Sequence, residues 1–427
     1  MLVYVLNKDG KPLMPCKPAK ARHLLQEGKA KVKRTEPFTI QLLYGSSGYK
    51  QDVTLGVDAG SKHIGLSATT EKKELYASET ELRSDIVASL SSRRQYRRSR
   101  RNRKTRYRQP RFQNRVHSKN KGWLAPSIEN KINTHLKVIR DAHKILPISK
   151  IIVEVASFDI QKIKNPDISG IEYQQGNQLG FWNVRAYVLW RDGYTCQCCH
   201  GKSKDKRLNV HHIKSRKTGG NSPDNLATVC KTCHGRYHAG EITFNFKMGK
   251  SFRDAAFMGI MRWSFYNRLK EMYPDVHMTY GYITKNTRIS NNLPKMHSID
   301  AYCITGNVNA KLLDYYFYQK QTRTVNRQIH KVNILKGGVR KLNQAPKYVF
   351  GFQLFDKVKY DKKQYYVFGR RASGGFDIRT LDGTKVNSGS VSHKKLIKLE
   401  SRKSILIERR NRAPLMTEVT SLRAEVQ

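Results

Sequence analysis

Residues 53–82 read VTLGVDAGSKHIGLSATTEKKELYASETEL, and they decide the fold. VTLGVD (53–58) is a mostly apolar run, the pattern of a buried strand. Gly60-Ser61 turns the chain, IGLSATT (64–70) returns it, and ELYASETE (74–81) offers a third strand. The expectation is an antiparallel meander with one carboxylate, Asp58, at its first turn.

Working outward, residues 1–50 read as short strands and turns. Val3, Val5 and Leu6 precede the turn Asp9-Gly10, and Phe38, Ile40 and Leu42 alternate later. After the meander the character changes. Arg93 to Arg115 holds twelve Arg or Lys and no acid, with Pro110 as its sole proline. A helix is expected up to Pro110. Like charges four apart repel, so phosphates are expected to order it. Ile128, Ile132, Leu136, Ile139 and His143 recur at helical spacing before Pro147. KIIVEVA (150–156) is a second core strand with Glu154 near its end. Residues 161–180 read as a linker, 181–245 as a compact Cys/His unit and 252–272 as a helix. Residues 278–283 are expected as a strand. Residues 297–313 are expected as an amphipathic helix opening His297-Ser298-Ile299-Asp300. Residues 319–349 are basic with glycines. From 350 to about 410, short strands broken by Gly-Gly and Asp-Gly turns suggest a small β-barrel, and the last residues read as frayed.

Composition narrows the function. Of 427 residues, 81 are Lys or Arg and 33 are Asp or Glu, a formal charge of +48. Such a chain repels itself unless a polyanion compensates it, and nucleic acid is the expected one. A membrane surface fits less well, because the basic runs carry no large apolar face. The hydrophobic share of 38% excludes a wholly disordered chain. No apolar run of 18 residues occurs, so no transmembrane helix is expected, and the N-terminal residues lack the features of a signal peptide. Seven cysteines, four of them in two CxxC pairs, favour a metal site in a reducing compartment over disulfides. The expected location is the cytoplasm of a prokaryote, at the nucleoid.

Cys196-x-x-Cys199 and Cys230-x-x-Cys233 stand 30 residues apart. Two such pairs complete a tetrahedral Cys₄ zinc site, because each turn presents two thiolates to one ion. Cys198 and His200 adjoin the first pair and leave the exact ligand set open. Between the pairs lie Val210-His211-His212-Ile213, Gly219-Gly220 and Asn225-Leu226; His234 and His238 follow the second. A structural zinc finger leaves His211-His212 unexplained. An imidazole beside a phosphate takes a proton from water, and a divalent ion steadies the leaving oxygen. The stretch closely resembles the HNH nuclease ββα-metal motif. That resemblance implies His212 as general base, His211 as metal ligand and Asn225 as the central Asn, with His234 and His238 competing for the last metal position.

Three carboxylates remain. Asp58 ends one apolar strand, Glu154 lies near the end of another, and Asp300 opens a helix three residues after His297. Each alone has an ordinary reading: a turn cap, an edge-strand charge, a helix N-cap. Together they suit two-metal phosphodiester hydrolysis, which needs carboxylates holding ions ~3.5–4 Å apart. They resemble the split motifs of a RuvC-like domain with an RNase H fold. The order of first motif, arginine-rich helix, second motif, HNH unit and third motif resembles IscB, the transposon-encoded relatives of type II CRISPR effector nucleases. Pro12-Leu13-Met14-Pro15 resembles the PLMP motif of that family.

The resemblance implies an α/β multidomain protein: an N-terminal PLMP domain (1–50), RuvC-like segments (51–82, 116–160, 246–315), a bridge helix (83–115), a linker (161–180), the HNH domain with its zinc knuckle (181–245) and a C-terminal β-barrel-like domain (316–427). It implies RNA-guided DNA cleavage by a monomer bound to a structured omega RNA, with HNH cutting the target strand and RuvC the displaced strand. Mg²⁺ is implied at both active sites and Zn²⁺ at the knuckle. Asp58, Glu154, His297 and Asp300 would form the RuvC site. Arg93, Arg94, Arg97, Arg98, Arg100, Arg101, Arg103 and Lys104 would grip nucleic acid. In the C-terminal region Gln353, Lys357, Arg370, Arg371 and Arg379 are candidates for base or phosphate contact. The alternatives are a protein-only HNH endonuclease, a catalytically silent RNA-binding protein and an actin-like ATPase. The last rests on Asp58-x-Gly60-Ser61 and lacks a convincing second phosphate motif.

Overall fold

Valines and leucines at alternate positions build the N-terminal layer. It comprises β1 (Val3–Leu6), β2 (Pro12–Cys16), α1 (Pro18–Gln26), β3 (Ala30–Arg34) and β4 (Thr39–Leu42), with sheet order β2-β1-β4-β3. Val3, Val5, Leu13, Ala21, Ile40 and Leu42 form its core. Helix α1 corrects the expectation of strands and turns alone. Pro18 starts it at a position where the ring is tolerated, but Ala21 is its one buried residue, too weak a stripe to read. This computed structural model describes residues 1–46, 48–101, 122–155, 181, 183–214, 222–247, 253–323 and 346–412. The chain forms two units: Met1–Ser157 with Met258–Gln427, and Phe158–Phe257.

The meander forms as expected. Strands β5 (Thr54–Ala59), β6 (His63–Thr69) and β7 (Glu74–Glu81) pair antiparallel in sequence. Helix α2 (Ile86–Arg101) carries Arg93 to Arg101; Arg103 and Lys104 lie outside the described residues, as does the expected linker. Helix α3 (Pro126–His143) turns Ile132, Leu136, Val138 and Ile139 inward, and β8 (Lys150–Glu154) lies parallel to β5.

The second unit is small. Helix α4 (Val184–Arg191) is capped by Asn183, whose side chain accepts from Ala186 N at 2.9 Å. Strands β9 (Leu208–His212) and β10 (Leu226–Cys230) form an antiparallel pair, and α5 (Lys231–Ala239) follows directly. Its core is lean: Cys196, Val229, Cys230 and Cys233 in one cluster, Tyr187, Val188 and Leu226 in another.

The first unit resumes along α6 (Arg253–Met272). Next come β11 (Val276–Thr279), α7 (Gly281–Ser290), α8 (His297–Ile304) and β12 (Tyr315–Gln321). Two expectations change here. The strand expected at 278–283 stops at Thr279, because Thr279 pairs with Glu154, the last residue of β8, and among the described residues the ladder goes no further. The helix expected at 297–313 stops at Ile304, followed by Gly306 in the left-handed region at φ 78°. The chain continues through β13 (Lys357–Tyr360), β14 (Lys363–Arg370), β15 (Gly375–Arg379), β16 (Val391–Ser392), β17 (Ile397–Glu400) and β18 (Ile405–Asn411).

Seven strands make the central sheet, in order β11-β8-β5-β6-β7-β12-β18. Strands β8 and β11 run parallel to β5, and β12 runs parallel to β7. The C-terminal boundary expected at 316 therefore falls inside β12, and β18 also belongs to this sheet. Arg412, just beyond β18, makes a fully buried ion pair with Glu74, Nη1 to Oε2 at 2.8 Å. Losing either partner strands a buried charge and costs about 3–5 kcal/mol. Strands β13 to β17 form a separate five-stranded antiparallel sheet, order β16-β15-β14-β13-β17, around Val358, Val367, Phe376 and Ile378.

Candidate active sites

The sheet brings distant acids together. Asp58 and Glu154 are register partners on the parallel strands β5 and β8, so both side chains project from one face. Helix α8 lies against that face because two glycines let it. A Cβ on Gly65 would meet the His297 carbonyl oxygen at 1.9 Å, and one on Gly56 would meet that of Ala301 at 2.0 Å. The contact sets His297 Nδ1 2.6 Å from Asp58 Oδ2. Asp300, one turn on, pairs with Arg288 of α7 at 2.9 Å.

The electrostatics match this crowding. Burial raises the pKa of Glu154, and the charges of Asp58 and Asp300 add to it, while the Thr284 hydroxyl pulls the other way. Burial and then Asp58 raise that of Asp300. The Asp58 hydrogen bond raises that of His297. A cation would relieve both carboxylates, so the donor set suits a hard divalent ion.

Several positioning residues escaped the sequence reading. Glu79 of β7 accepts from Ser298 N at 3.0 Å and Ser298 Oγ at 3.1 Å, which anchors the first turn of α8. His63 stacks on His297 at 5.1 Å between ring centres. Lys131 of α3 donates to the Ser61 carbonyl, gripping the turn after Asp58. Gly56 and Gly65 were the legible signal, each close in the hairpin to Asp58.

Among the described residues the small unit holds two clusters, and within each the ligand atoms lie within 4.8 Å of one another. One is Cys196, Cys199, Cys230 and Cys233, a donor set that suits tetrahedral zinc. The Ser203 hydroxyl holds the Cys199 pKa down to about 6, which favours a thiolate ligand. Cys198 and His200 are not in this cluster. The other is His211, His234 and His238, with His234 Nε2 and His238 Nε2 3.3 Å apart. The two histidines that competed for one role thus flank His211 together, one turn apart on α5. Burial lowers the pKa of His211 to about 4, with His234 and His238 adding to it, so its ring is neutral and able to ligate. Imidazoles suit a transition metal better than Mg²⁺.

His212 follows His211 on β9, so its side chain faces the opposite way. Buried Asn225 accepts from Lys214 N at 2.8 Å and donates to Lys214 O at 2.9 Å, clipping the chain just after His212.

Elsewhere the candidates divide. Arg93 and Arg94 are exposed on α2. Lys357 is buried on Glu36, and Arg370 donates to the Lys347 and Phe352 carbonyls, so both hold the fold. Arg379 pairs with Asp377, Arg371 donates to Ser390 Oγ at 3.1 Å, and Gln353 N donates to Asp356. Among the described residues no helix is long and apolar enough to cross a membrane.

Comparison with known proteins adds two family matches. Residues 3–176 match the family described as RRXRR protein, and 196–240 match HNH endonuclease. Residues 97–101 read Arg-Arg-Ser-Arg-Arg. No curated protein matches the chain. Among solved structures, Streptococcus thermophilus Cas9 in complex with the AGAA PAM is 13% identical, covering 57% of this chain and 32% of its own, at TM-score 0.33. The type II-C Cas9 from Actinomyces naeslundii is 11% identical, covering 60% of each chain, at TM-score 0.25. This chain thus spans about a third of the S. thermophilus chain. One polypeptide thus carries a match to the RRXRR family over residues 3–176, followed by a match to the HNH endonuclease family over residues 196–240.

Proposed function

We propose that this protein is an RNA-guided DNA endonuclease with two hydrolytic sites. The observation that carries the reading is the convergence of Asp58, Glu154, His297 and Asp300 on one sheet face, in a chain that also holds the His211-His212 strand. The strand order β11-β8-β5-β6-β7 supports an RNase H-like frame for the first site.

At each site water attacks the phosphorus, the P–O bond to the leaving strand breaks, and the proton passes to a histidine. His212 is the base in the small unit, and His297 serves at the sheet. Asp58, Glu154 and Asp300 would hold Mg²⁺, and His211, His234 and His238 would hold a divalent ion. Such ions supply charge neutralisation at the phosphate and leaving oxygen. Asn225 holds the backbone behind His212 in place, and Arg288 and Glu79 orient α8. The Cys₄ cluster would hold zinc as structure.

The guide reading follows from charge. A net +48 with an arginine-rich run free of acidic residues suits gripping backbone while base pairing reads sequence. The small unit would cut the paired target strand and the sheet site the displaced one. The test is to sequence RNA that copurifies with the protein, then measure plasmid cleavage with Mg²⁺ before and after RNase. A discrete RNA whose removal abolishes cutting is expected. Cutting that survives RNase would favour a protein-only HNH endonuclease, and bound RNA without cutting would overturn the enzyme.

A further inference from the structure

Helix α7 and the strand before it have two functional faces. Thr284 and Arg288, one turn apart, face the carboxylate site, the first beside Glu154 and the second on Asp300. Gly281 starts the helix against Glu154, where a Cβ would stand 3.0 Å from Oε1. The outer face is different. Tyr280 and Tyr282, on either side of Gly281, are 46% and 66% exposed. Their rings are nearly parallel, 12° apart in plane and 6.1 Å between centres. Among the described residues neither hydroxyl has a hydrogen-bond partner. Met278, Ile283 and Ile289 are exposed close by, so five large apolar side chains face solvent within twelve residues. A patch this dense on a chain with 81 Lys and Arg marks a binding surface. Lys285, exposed three residues after Tyr282, adds a cation to that face.

We infer that Tyr280 and Tyr282 form a base-stacking platform for single-stranded DNA at the rim of the carboxylate site. The chemistry fits one occupant. Aromatic faces accept any base, and neighbouring cations hold the backbone, which is how single strands are bound without sequence preference. Gly281, which stands against Glu154, lies between the two tyrosines in sequence, so a strand whose bases rest on the rings would lead its backbone toward the carboxylates. Duplex DNA keeps its base faces stacked internally, so the platform selects an unpaired strand. This inference rests on the proposed nuclease reading, which supplies the strand.

The test is photocrosslinking of the full-length protein to single-stranded DNA carrying 5-iododeoxyuridine, without added Mg²⁺, with the adducts mapped by mass spectrometry. Crosslinks at Tyr280 or Tyr282 are expected. The paired change Tyr280→Leu, Tyr282→Leu should cut their yield about tenfold or more, and Tyr280→Phe, Tyr282→Phe should retain it. In guide-directed cleavage the Leu pair should raise KM for the sheet site's strand and leave the other cut unchanged. Adducts that avoid both tyrosines, or Leu-pair cleavage equal to wild type, would overturn the platform. Tyrosine-dependent adducts in a protein that cuts no DNA would support the platform and sink the nuclease reading instead.

Discussion

The carboxylate site and the Cys/His unit, to which the proposed function assigns the same chemistry, are assembled with opposite architectures. In the small unit every candidate ligand lies between Cys196 and His238, brought together by one hairpin and one helix. Its clusters are so lean that three cysteines and one valine form one core. At the sheet, Asp58 and His297 are 239 residues apart and meet only because a seven-stranded sheet and two glycines permit it. A short motif on a small core relies on a metal for its fold, whereas a dispersed site relies on a large core for its geometry.

Metal removal should break that contrast most sharply. Structural zinc contributes about 10–16 kcal/mol in small zinc domains. Chelation or Cys233→Ser should therefore unfold residues 181–245 while the sheet keeps its protection, as hydrogen exchange would register. Protection unchanged in both units would refute the Cys₄ assignment. The second contrast is catalytic. His212→Ala should slow one strand's cleavage about 10²–10⁴-fold and leave the other cut intact, and Asp58→Ala should do the reverse. Strand-resolved gels distinguish these outcomes, and loss of both cuts from either change would end the two-site account.

A third change separates scaffold from ligand. Gly65→Ala places a methyl where the His297 carbonyl stands, so α8 must shift, at a cost of about 1–3 kcal/mol or more. A lower Tm is expected, with the sheet-site cut lost and the HNH cut kept. The smallest effect is a titration. Asp58 raises the pKa of His297 above the ordinary value of about 6.5. The stability from that contact is full below the unfolded value and fades as pH rises through the raised native one. NMR should find His297 titrating above pH 6.5 and shifting down in Asp58→Asn, while His211 in the metal-free protein stays neutral down to about 4.

Legibility followed the same division. The meander was readable because buried apolar runs and a Gly-Ser turn are local signals. The Cys₄ cluster was readable because two CxxC turns are preorganised in sequence. His234 and His238 stayed undecided, since only the packing of α5 on β9 shows that both reach His211. The roles of Glu79 and Arg288 were invisible, as each depends on a partner more than ten residues away in sequence or on another strand. Lys357 and Arg370 looked like surface cations until the fold placed them against Glu36 and two carbonyls.

By itself, the sequence determined a strongly basic chain, a meander carrying Asp58, and a Cys/His unit with zinc spacing, because charge, periodicity and short ligand motifs are written within a few residues of one another. Only the tertiary structure decided where helices 281–290 and 297–304 begin and end, that β12 and β18 complete the main sheet, and which side chains surround Asp58. Those outcomes depend on strand pairing and on the absence of a Cβ at Gly56 and Gly65, contacts between segments that sequence order keeps far apart.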